Sequence, residues 1–411
     1  MERIVITGMG TVNPVGLNVD ETWKNILAGV SGVGPITLFD PSNLLVKIAC
    51  EVKNFNPDDY MPAKEARRRD RYEWFAIAAS QEAIHQAGIS ASDAPAGRIG
   101  VIFSSAIGGI TTLLDAFVTL QKEGPRRISP FVIPQFITDG AAGIISIEYG
   151  FRGPTMSIIS ACASGTDAIG TAWTMIRAGM IDIAITGASD AVLSEFAVGS
   201  FDRIGACSRR NDDYSMTPQP FDKNRDGLVI GEGAAALVIE SESHAQARGV
   251  EILAELAGYG STSDAYHITA PREDGTGGSQ AMLMALQAAG EKPEALDYIN
   301  AHGTATTLND ASETQAIKNA FGKLAYNIPV SSTKSMTGHM MGATGALEAV
   351  LCVQTVRCGV LPPTIHYQTP DPDCDLDYIP NQPRQKPVRL VLSNSFGFGG
   401  HNAVIAVRKY S

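Results

Sequence analysis

The sequence predicts an α/β fold in which helical layers cover a buried sheet, and three observations support this prediction. Short β-branched segments bounded by glycine or charged residues alternate with longer segments of helical periodicity. The same alternation resumes after Ala245, which indicates two halves of similar order. A faint repeat relates Cys162-Ala-Ser-Gly to Gly342-Ala-Thr-Gly, because each opens a helical segment that ends in Arg-x-Gly, 180 residues apart (162 against 342).

The first half of the chain alternates strands and helices in a regular order. Buried strands are predicted over residues 3–8, 99–105, 155–160, 181–187 and 233–240. Helices are predicted over residues 21–29, 74–88, 108–122 and 165–179. Strands that alternate with helices in this way are typical of a largely buried sheet.

The second half repeats this order. Strands are predicted over residues 251–260, 297–303, 328–333, 389–395 and 402–409. Helices are predicted over residues 278–290, 311–322 and 345–359. The polar stretch near 241–250 marks the predicted boundary, so the predicted domains are residues 1–245 and 246–411.

Composition and charge argue against several classes of protein. The 411 residues are 44% apolar and 18% charged, with a net charge of −11 and a pI near 5.2. This acidity argues against a general nucleic-acid binder, and no apolar run reaches the ~18 residues of a membrane span. The chain enters a strand without a signal peptide, and its six cysteines show no CxxC pair, so we expect reduced thiols and a cytoplasmic protein.

Cys162 lies where the strand over 155–160 ends and the helix over 165–179 begins. A lone cysteine among small apolar residues is more often a buried filler. A thiol at the first turn of a helix, however, faces unpaired N–H groups and the positive end of the helix dipole, which favour the thiolate. Cys162 is therefore the candidate nucleophile, whereas Cys207 lacks a comparable setting.

His302 and His339 each follow a predicted strand and have a glycine beside them. Such histidines are often only turn residues, but α/β folds place their sites at the carboxyl edges of strands. The glycine-rich stretch 393–402 is either a simple turn or a mobile loop whose N–H groups line a site. The glycines near the N-terminus look like a dinucleotide loop, but Asn13 replaces the third glycine, so no such cofactor site is expected.

Taken together, these motifs resemble the β-ketoacyl-acyl carrier protein synthases of the thiolase-like superfamily, in particular the elongating bacterial synthase II group. The stretches 161–165 ("ACASG"), 300–306 ("NAHGTAT"), 331–348 and 394–400 ("NSFGFGG") occur in the order of that family, and the resemblance covers essentially the whole chain. It implies a duplicated α-β-α-β-α layered fold. It also implies decarboxylative Claisen condensation of an acyl thioester with malonyl-acyl carrier protein in fatty acid elongation.

The resemblance assigns roles to the candidate residues. Cys162 takes the acyl chain as a thioester, and its N–H group and that of Phe398 form the oxyanion hole. His302 and His339 donate hydrogen bonds to the malonyl thioester carbonyl and stabilise the enolate. Neutral imidazoles suit this task, and their pKa is expected to lie near the working pH.

Further residues are implied to surround these groups. Lys334 organises the His339 side of the site, and Glu348 is its structural polar partner. His401 departs from the family pattern, since some relatives have a threonine there, and we interpret it as a loop residue and not as a third catalytic histidine. The pantetheine arm is expected to contact Thr304, Thr306 and Thr269. The acyl chain is expected to contact Ile107 and Phe201.

The resemblance also implies partners. Substrates arrive on the phosphopantetheine of acyl carrier protein, so no other cofactor and no metal are expected, and a homodimer completes the acyl pocket. A basic cluster in this acidic chain is the candidate docking surface for the acidic carrier, namely Lys64, Arg67, Arg68, Arg69, Arg126 and Arg127. The alternative interpretation is a solvated helix start that pairs with Glu65, Asp70 and Glu73.

Three rival functions share parts of this pattern. A type II polyketide ketosynthase shares every motif, and the sequence separates the two poorly. A silent partner subunit that sets chain length should lack the nucleophile, but Cys162 is present. A thiolase should carry a second catalytic cysteine near the C-terminal glycine-rich stretch, and residues 393–402 contain none.

Overall fold

The computed structural model describes residues 2–411. Helices alternate with strands along most of the chain, as the sequence predicts. In chain order the helices are α1 (Val19–Leu27), α2 (Ala63–Ala66), α3 (Arg71–Ala87), α4 (Ile110–Glu123), α5 (Val132–Phe136), α6 (Gly140–Tyr149), α7 (Ser164–Arg177), α8 (Glu195–Arg203), α9 (Glu242–Arg248), α10 (Thr276–Ala288), α11 (Thr307–Phe321), α12 (Lys334–Thr337) and α13 (Ala343–Cys358). None of the helices within residues 2–411 combines the length and apolar character needed to cross a lipid bilayer.

The strands include eight of three residues or more and six short ones. They are β1 (Ile4–Val12), β2 (Gly34–Pro35), β3 (Ile48–Ala49), β4 (Ile99–Ser104), β5 (Thr155–Met156), β6 (Ile183–Asp190), β7 (Gly233–Ser241), β8 (Ala254–Ser263), β9 (Tyr298–Asn300), β10 (Val330–Ser331), β11 (Val360–Leu361), β12 (Arg384–Gln385), β13 (Leu390–Gly397) and β14 (His401–Arg408). A 3₁₀ turn over Ala161–Ala163 directly precedes α7.

Within residues 2–411, ten strands form one sheet in the order β10-β9-β13-β14-β8-β1-β7-β6-β4-β5. Five of these strands come from the first half of the chain, namely β1, β7, β6, β4 and β5. The other five come from the second half, namely β10, β9, β13, β14 and β8. The two half-sheets join only where β1 pairs with β8, through Val5 opposite Glu255 and Ile6 opposite Ala254. Each half-sheet can therefore carry its own helical layers.

Five layers result from this arrangement. Helices α3 and α6 pack on the outer face of the first half-sheet, and α10 and α11 pack on the outer face of the second. Between the half-sheets lie α7 and α13, and α13 is buried over the whole of 343–356. The predicted α-β-α-β-α layering is confirmed.

The outer helices lie directly on the two strands that join the half-sheets. A Cβ at Gly8 or Gly10 of β1 would lie 2.1 Å from a carbonyl oxygen of α3. A Cβ at Gly258 or Gly260 of β8 would lie 2.2 Å from a carbonyl oxygen of α10. The glycines that look like a dinucleotide loop in the sequence therefore serve close helix packing, and their counterparts in β8 are a second trace of the repeat.

Two segments differ from the sequence-based expectation. Of the predicted strand over 155–160, only Thr155–Met156 pairs with the sheet, because residues 157–160 leave its edge to reach the turn before α7. The polar stretch 241–250 contains α9, which connects β7 to β8. The division into domains at residue 245 remains a prediction.

Candidate active site

The candidate nucleophile lies on a strained turn at the start of α7. Cys162 follows Ala161, whose φ of +51° is a left-handed conformation that is costly for a residue with a Cβ. The glycine loop, residues 397–400, packs against this turn, and a Cβ at Gly397 would lie 3.1 Å from the Cys162 nitrogen. The absence of a side chain at residue 397 therefore lets the loop approach the nucleophile.

Two backbone N–H groups face the Cys162 sulfur, one from Cys162 itself and one from Phe398 in the glycine loop. Burial raises the pKa of the thiol to about 11, although the Lys334 charge and the two N–H groups lower it. The expectation of a thiolate is therefore wrong for the free protein, because desolvation outweighs the helix N-terminus. The two N–H groups can still bind the oxyanion that forms when this sulfur attacks a carbonyl.

His302 and His339 are buried side by side, with ring centroids 5.5 Å apart and ring planes at 87°. Burial lowers the pKa of His302 well below 6.5 and that of His339 to about 3, and the Lys334 charge acts in the same direction. Both rings are therefore neutral, but the expected pKa near the working pH is wrong. Within residues 2–411, His302 Nδ1 and His339 Nε2 have no hydrogen-bond partner, so each ring can bind a further group.

The backbone at His302 is held by a carboxylate that the sequence analysis did not single out. Glu313 on α11 accepts the N–H groups of His302 at 2.8 Å and of Gly303 at 2.7 Å, and the Asn394 amide at 3.1 Å. Burial raises the pKa of Glu313 to about 6. Nothing in the sequence distinguishes this residue from a solvent-facing helical glutamate, so its role is visible only in the fold.

His339 and Lys334 are fixed by residues of α13. Thr344 Oγ1 lies 3.1 Å from His339 Nδ1. Lys334 Nζ donates to Glu348 Oε1 at 2.6 Å, and both side chains are fully buried. Burial raises the pKa of Glu348 to about 7, although Lys334 opposes this shift. The expected pairing of Lys334 with Glu348 is present, and it places a positive charge behind both imidazoles.

One open pocket reaches all of these reactive groups except Lys334. Its lining combines the candidate catalytic residues with four of the residues assigned to substrate, namely Cys162, His302, His339, Phe398, Thr269, Thr304, Thr306 and Phe201. The hydroxyl oxygens of Thr304 and Thr306 lie 3.0 Å apart. The pocket therefore presents two adjacent hydroxyl groups in the same lining as Cys162 and the two histidines.

Besides Lys334 and Glu348, three further residues singled out in the sequence lie outside this lining, namely Ile107, His401 and Cys207. Ile107 is half-buried and packs on the same apolar cluster as Phe201. His401 is exposed and pairs with Gly397 across the β13–β14 hairpin, so it supports the base of the glycine loop. Cys207 is buried, and burial raises the pKa of its thiol to about 12.

None of the residues of the basic cluster belongs to the pocket lining. The Arg68 guanidinium stacks on Phe131 at 4.9 Å from the ring centre, which brings residues 64–69 close to the segment that carries Arg126 and Arg127. The two segments of the predicted docking surface are therefore in contact through Arg68 and Phe131.

Acidic neighbours account for only part of this charge. Glu65 lies 3.2 Å from Arg68 and 3.5 Å from Arg69. Asp70 and Glu73 instead form the capping box at the start of α3. Arg127 pairs with Glu123. The remaining basic residues of the cluster, Lys64, Arg67 and Arg126, form no ion pair within residues 2–411.

Comparison with known families gives two matches that together span most of the chain. The model described as "Beta-ketoacyl synthase, N-terminal domain" matches residues 1–245, and "Beta-ketoacyl synthase, C-terminal domain" matches residues 253–368.

Individual relatives match over the full length. The chain is 48% identical to "3-oxoacyl-[acyl-carrier-protein] synthase 2" of Staphylococcus aureus (strain N315) over 100% of this chain and 99% of the relative. It is 46% identical to the protein of the same name from Synechocystis, over 100% and 98%. Among solved structures, a type II PKS ketosynthase in complex with its acyl-carrier protein superimposes with a TM-score of 0.92, at 37% identity and full coverage of both chains.

Proposed function

The chain belongs to the β-ketoacyl synthase family, and we propose that Cys162, His302 and His339 carry out its reaction. The protein is an acyltransferase that condenses an acyl thioester with malonyl-acyl carrier protein, releases carbon dioxide and forms 3-oxoacyl-acyl carrier protein in fatty acid elongation. The resemblance read from the motifs and the thiolase-like fold are thereby confirmed.

In the first half-reaction, the sulfur of Cys162 attacks the carbonyl carbon of the incoming acyl thioester. The N–H groups of Cys162 and Phe398 bind the developing oxyanion. The pantetheine sulfur leaves and takes up the proton that Cys162 gives away.

In the second half-reaction, malonyl-acyl carrier protein enters the same pocket. The carbon–carbon bond to its carboxylate breaks, carbon dioxide leaves, and the electron pair forms an enolate. His302 and His339 donate hydrogen bonds to the enolate oxygen as neutral imidazoles. The enolate carbon then attacks the acyl carbonyl on Cys162, and the adduct expels the cysteine sulfur as a thiolate. The 3-oxoacyl product stays on its carrier protein, and Cys162 takes up a proton from water to become a thiol again. Since these side chains supply all the steps, we propose that no resident cofactor takes part.

One observation carries these assignments. A cysteine with two N–H groups aimed at its sulfur shares a pocket with two buried neutral histidines. The cysteine and its two N–H groups suit covalent capture of a carbonyl, and the two histidines suit stabilisation of a separate enolate. Covalent capture holds the electrophile beside the carbanion, which replaces a bimolecular encounter.

The test separates the two half-reactions. Cys162→Ala should abolish condensation and leave decarboxylation of malonyl-acyl carrier protein, whereas His302→Ala or His339→Ala should lose decarboxylation by on the order of 10²–10³. Intact-protein mass spectrometry should show acylation of the histidine variants and not of Cys162→Ala. A normal 3-oxoacyl product from Cys162→Ala would overturn the assignment.

A polyketide ketosynthase is the second candidate, because one structural relative is described as a type II PKS ketosynthase bound to the hexaketide. Acyl carrier proteins that carry saturated chains of several lengths, or polyketide intermediates, distinguish the two. A fatty acid enzyme should become acylated by the saturated chains and should not retain a polyketide.

We also propose that acyl carrier protein docks on the basic patch of residues 64–69, 126 and 127. Lys64, Arg67 and Arg126 are exposed and have no ion-pair partner within residues 2–411. Rim charges of this kind mainly accelerate association and make it sensitive to salt. Lys64→Glu with Arg67→Glu should slow turnover on carrier-bound substrates and flatten its salt dependence.

Two controls accompany the docking test. Lys292→Glu with Lys323→Glu makes the same change of charge at exposed positions remote from this patch in sequence, and it should leave turnover unchanged. A small pantetheine thioester should acylate all variants equally, because it needs no docking surface. Equal loss of both substrates in the patch variant would mean that the patch is structural.

A homodimer is the assembly we propose. Strand β5 lies at the edge of the sheet, and the neighbouring helices expose large apolar side chains, including Leu113, Phe117, Val118, Ile133 and Ile147. An uncovered edge strand beside an apolar surface suits pairing with a second copy. Light scattering should give twice the 43.5 kDa chain mass, and Phe117→Asp with Ile147→Asp should reduce it to the single chain.

We place the protein in the cytoplasm, because all six cysteines within residues 2–411 carry free thiols.

A further inference from the structure

Asp167 joins the nucleophile turn to the second half of the chain. It lies in the first turn of α7, and its side chain is 7% exposed. Its Oδ2 accepts the Ser160 hydroxyl and its Oδ1 accepts the Tyr259 hydroxyl, each at 2.5 Å. Both carboxylate oxygens are therefore occupied by side chains rather than by the helix backbone.

Ser160 occupies a sensitive position in the turn. It directly precedes the strained residue Ala161 and lies two residues before Cys162. Its carbonyl accepts the N–H of Ala163 at 3.0 Å, and its own N–H donates to Ser164 Oγ at 3.0 Å. Its hydroxyl donates to Asp167, so side chain and backbone are both fixed. A residue that anchors the entrance of a left-handed turn determines where the next N–H groups point.

Tyr259 braces Asp167 from strand β8, which belongs to the other half-sheet. Its ring lies on α7 where a Cβ at Gly170 would come within 2.2 Å of it. Burial and the charge of Asp167 raise the pKa of Tyr259 well above 10, so its hydroxyl keeps its proton and can donate. The nucleophile turn from the first half of the chain is thus supported by a side chain from the second half.

We propose that Asp167 is a positioning residue that, through Ser160 and with Tyr259 behind it, aims the N–H group and sulfur of Cys162 into the pocket. The proposal rests on the proposed role of Cys162 as nucleophile. Asp167 touches no reacting atom, and His302 and His339 are held by Glu313 and Thr344 instead. Loss of the Asp167 contacts should therefore affect acyl capture and spare decarboxylation.

The principal variant is Ser160→Ala, which removes the hydroxyl and leaves the backbone. It should slow acyl transfer from a pantetheine thioester to Cys162 by about tenfold, the rate equivalent of one hydrogen bond to a charged group, with KM unchanged. Alkylation of Cys162 by iodoacetamide, followed by peptide mass spectrometry, should slow by a similar factor. Its pH profile should shift to higher pH, because a misdirected N–H group stabilises the thiolate less.

Ser157→Ala is the matched control. This serine lies three residues upstream in the same segment (157 against 160), and its hydroxyl has no hydrogen-bond partner within residues 2–411. It should leave acyl transfer and alkylation unchanged. Ser160→Thr, which restores a hydroxyl, should recover most of the lost rate. Decarboxylation, measured with Ser160→Ala in a Cys162→Ala background, should match that of Cys162→Ala alone.

Three results would overturn the proposal: equal alkylation rates in Ser160→Ala and Ser157→Ala, an unshifted pH profile, or a loss of decarboxylation as large as the loss of acyl transfer. If Ser160→Ala does not fold, Tyr259→Phe leaves the turn intact and should still slow alkylation about threefold; an unchanged rate would again contradict it. Failure of the proposed function would appear differently, as wild-type protein that is alkylated at Cys162 but never acylated there.

Discussion

The turns that precede α7 and α13 share one backbone conformation and contain different groups. Ala161 before Cys162 has φ of +51°, and Met341 before Gly342 has φ of +49°. The two helices meet at these turns, where the Gly165 N–H donates to the Gly342 carbonyl at 3.1 Å. The 180-residue repeat seen in the sequence (161 against 341) is therefore a repeat of backbone geometry.

The difference lies in what each turn binds. The N–H of Cys162 faces its own sulfur at the open pocket. The N–H of Gly342 instead donates to the buried carboxylate of Asp190, which also accepts the N–H of Ala106 at 3.1 Å. One copy of the turn thus remains free for a substrate oxyanion, while the protein fills the other with its own carboxylate. The two turns have the same backbone conformation, and the residues around each turn determine what its N–H group can bind.

The hydroxyl residues that follow the two turns show the same divergence. Ser164 Oγ donates to the Ala161 carbonyl and so closes the nucleophile turn upon itself. Thr344, its equivalent 180 positions later (164 against 344), directs its hydroxyl to His339. The first turn therefore presents the proposed nucleophile, and the second orients a proposed hydrogen-bond donor.

The contact between the two turns should be the part least tolerant of change. A Cβ at Gly165 would lie 2.5 Å from the Gly342 carbonyl oxygen, which is backbone, whereas a Cβ at Gly345 would meet the Thr166 hydroxyl at 2.2 Å. A hydroxyl can rotate and a backbone cannot. We expect Gly165→Ala to lower the free energy of unfolding by more than ~3 kcal/mol and Gly345→Ala by about 1–3 kcal/mol, measured by urea denaturation.

Gly143→Ala is the control for both glycine variants. Gly143 lies in α6, and a Cβ there would meet nothing within 4 Å. Alanine should therefore be neutral or stabilise the protein by up to ~1 kcal/mol through helix propensity. A smaller effect for Gly165→Ala than for Gly345→Ala would contradict the inferred contact.

The layered fold could be predicted from the sequence because its cause is local. Strand and helix periodicities are legible in a single chain, and so are the motifs that place Cys162, His302 and His339 beside glycines. The support of these residues could not be predicted. Asp167 and Glu313 are single carboxylates on helices, and their partners lie 92 and 81 positions away in the chain, at Tyr259 and Asn394.

The pKa values of Cys162, His302 and His339 differ from those that the sequence predicts. A helix N-terminus favours a thiolate, and an isolated imidazole titrates near neutral pH. Both expectations omit desolvation, which depends on every atom packed around the group. In this fold, burial raises the pKa of Cys162 to about 11 and lowers that of His339 to about 3.

Asp190, the carboxylate bound at the second turn, should make the stability of the protein depend on pH. Burial raises the pKa of Asp190 from 3.8 to about 6. Between pH 4 and 6 the folded protein therefore binds a proton that the unfolded chain has released, so this group's contribution to stability falls as the pH rises. Asp190→Asn removes the titration, and its destabilisation should be greater at pH 4 than at pH 7, by up to about 3 kcal/mol.

Urea unfolding of both proteins at pH 4, 5, 6 and 7 measures this difference. Glu313 and Glu348 also have raised pKa values, but they are present in both proteins and cancel in the comparison. A destabilisation that is constant with pH would mean that folding does not raise the pKa of Asp190, and so would contradict the inferred proton uptake at the second turn.

The smallest effect is expected at Phe398, which distinguishes the open turn from the filled one. Its N–H faces the Cys162 sulfur, and the half-buried residue belongs to the lining of the same pocket. Gly397 and Gly399 on either side let the backbone reorient, and Gly399 already has φ of +85°.

Phe398→Ala keeps the N–H donor and removes only the ring, so the oxyanion contact should survive. We expect acyl transfer to slow by a few-fold, well below the ~10² expected for loss of an oxyanion donor. We also expect malonyl-acyl carrier protein to react before acylation, because the ring no longer closes the pocket. Single-turnover measurements of each half-reaction, with the two substrates added in either order, test this. If the order still matters as in the wild type, the ring is no gate and the loop contributes only its backbone.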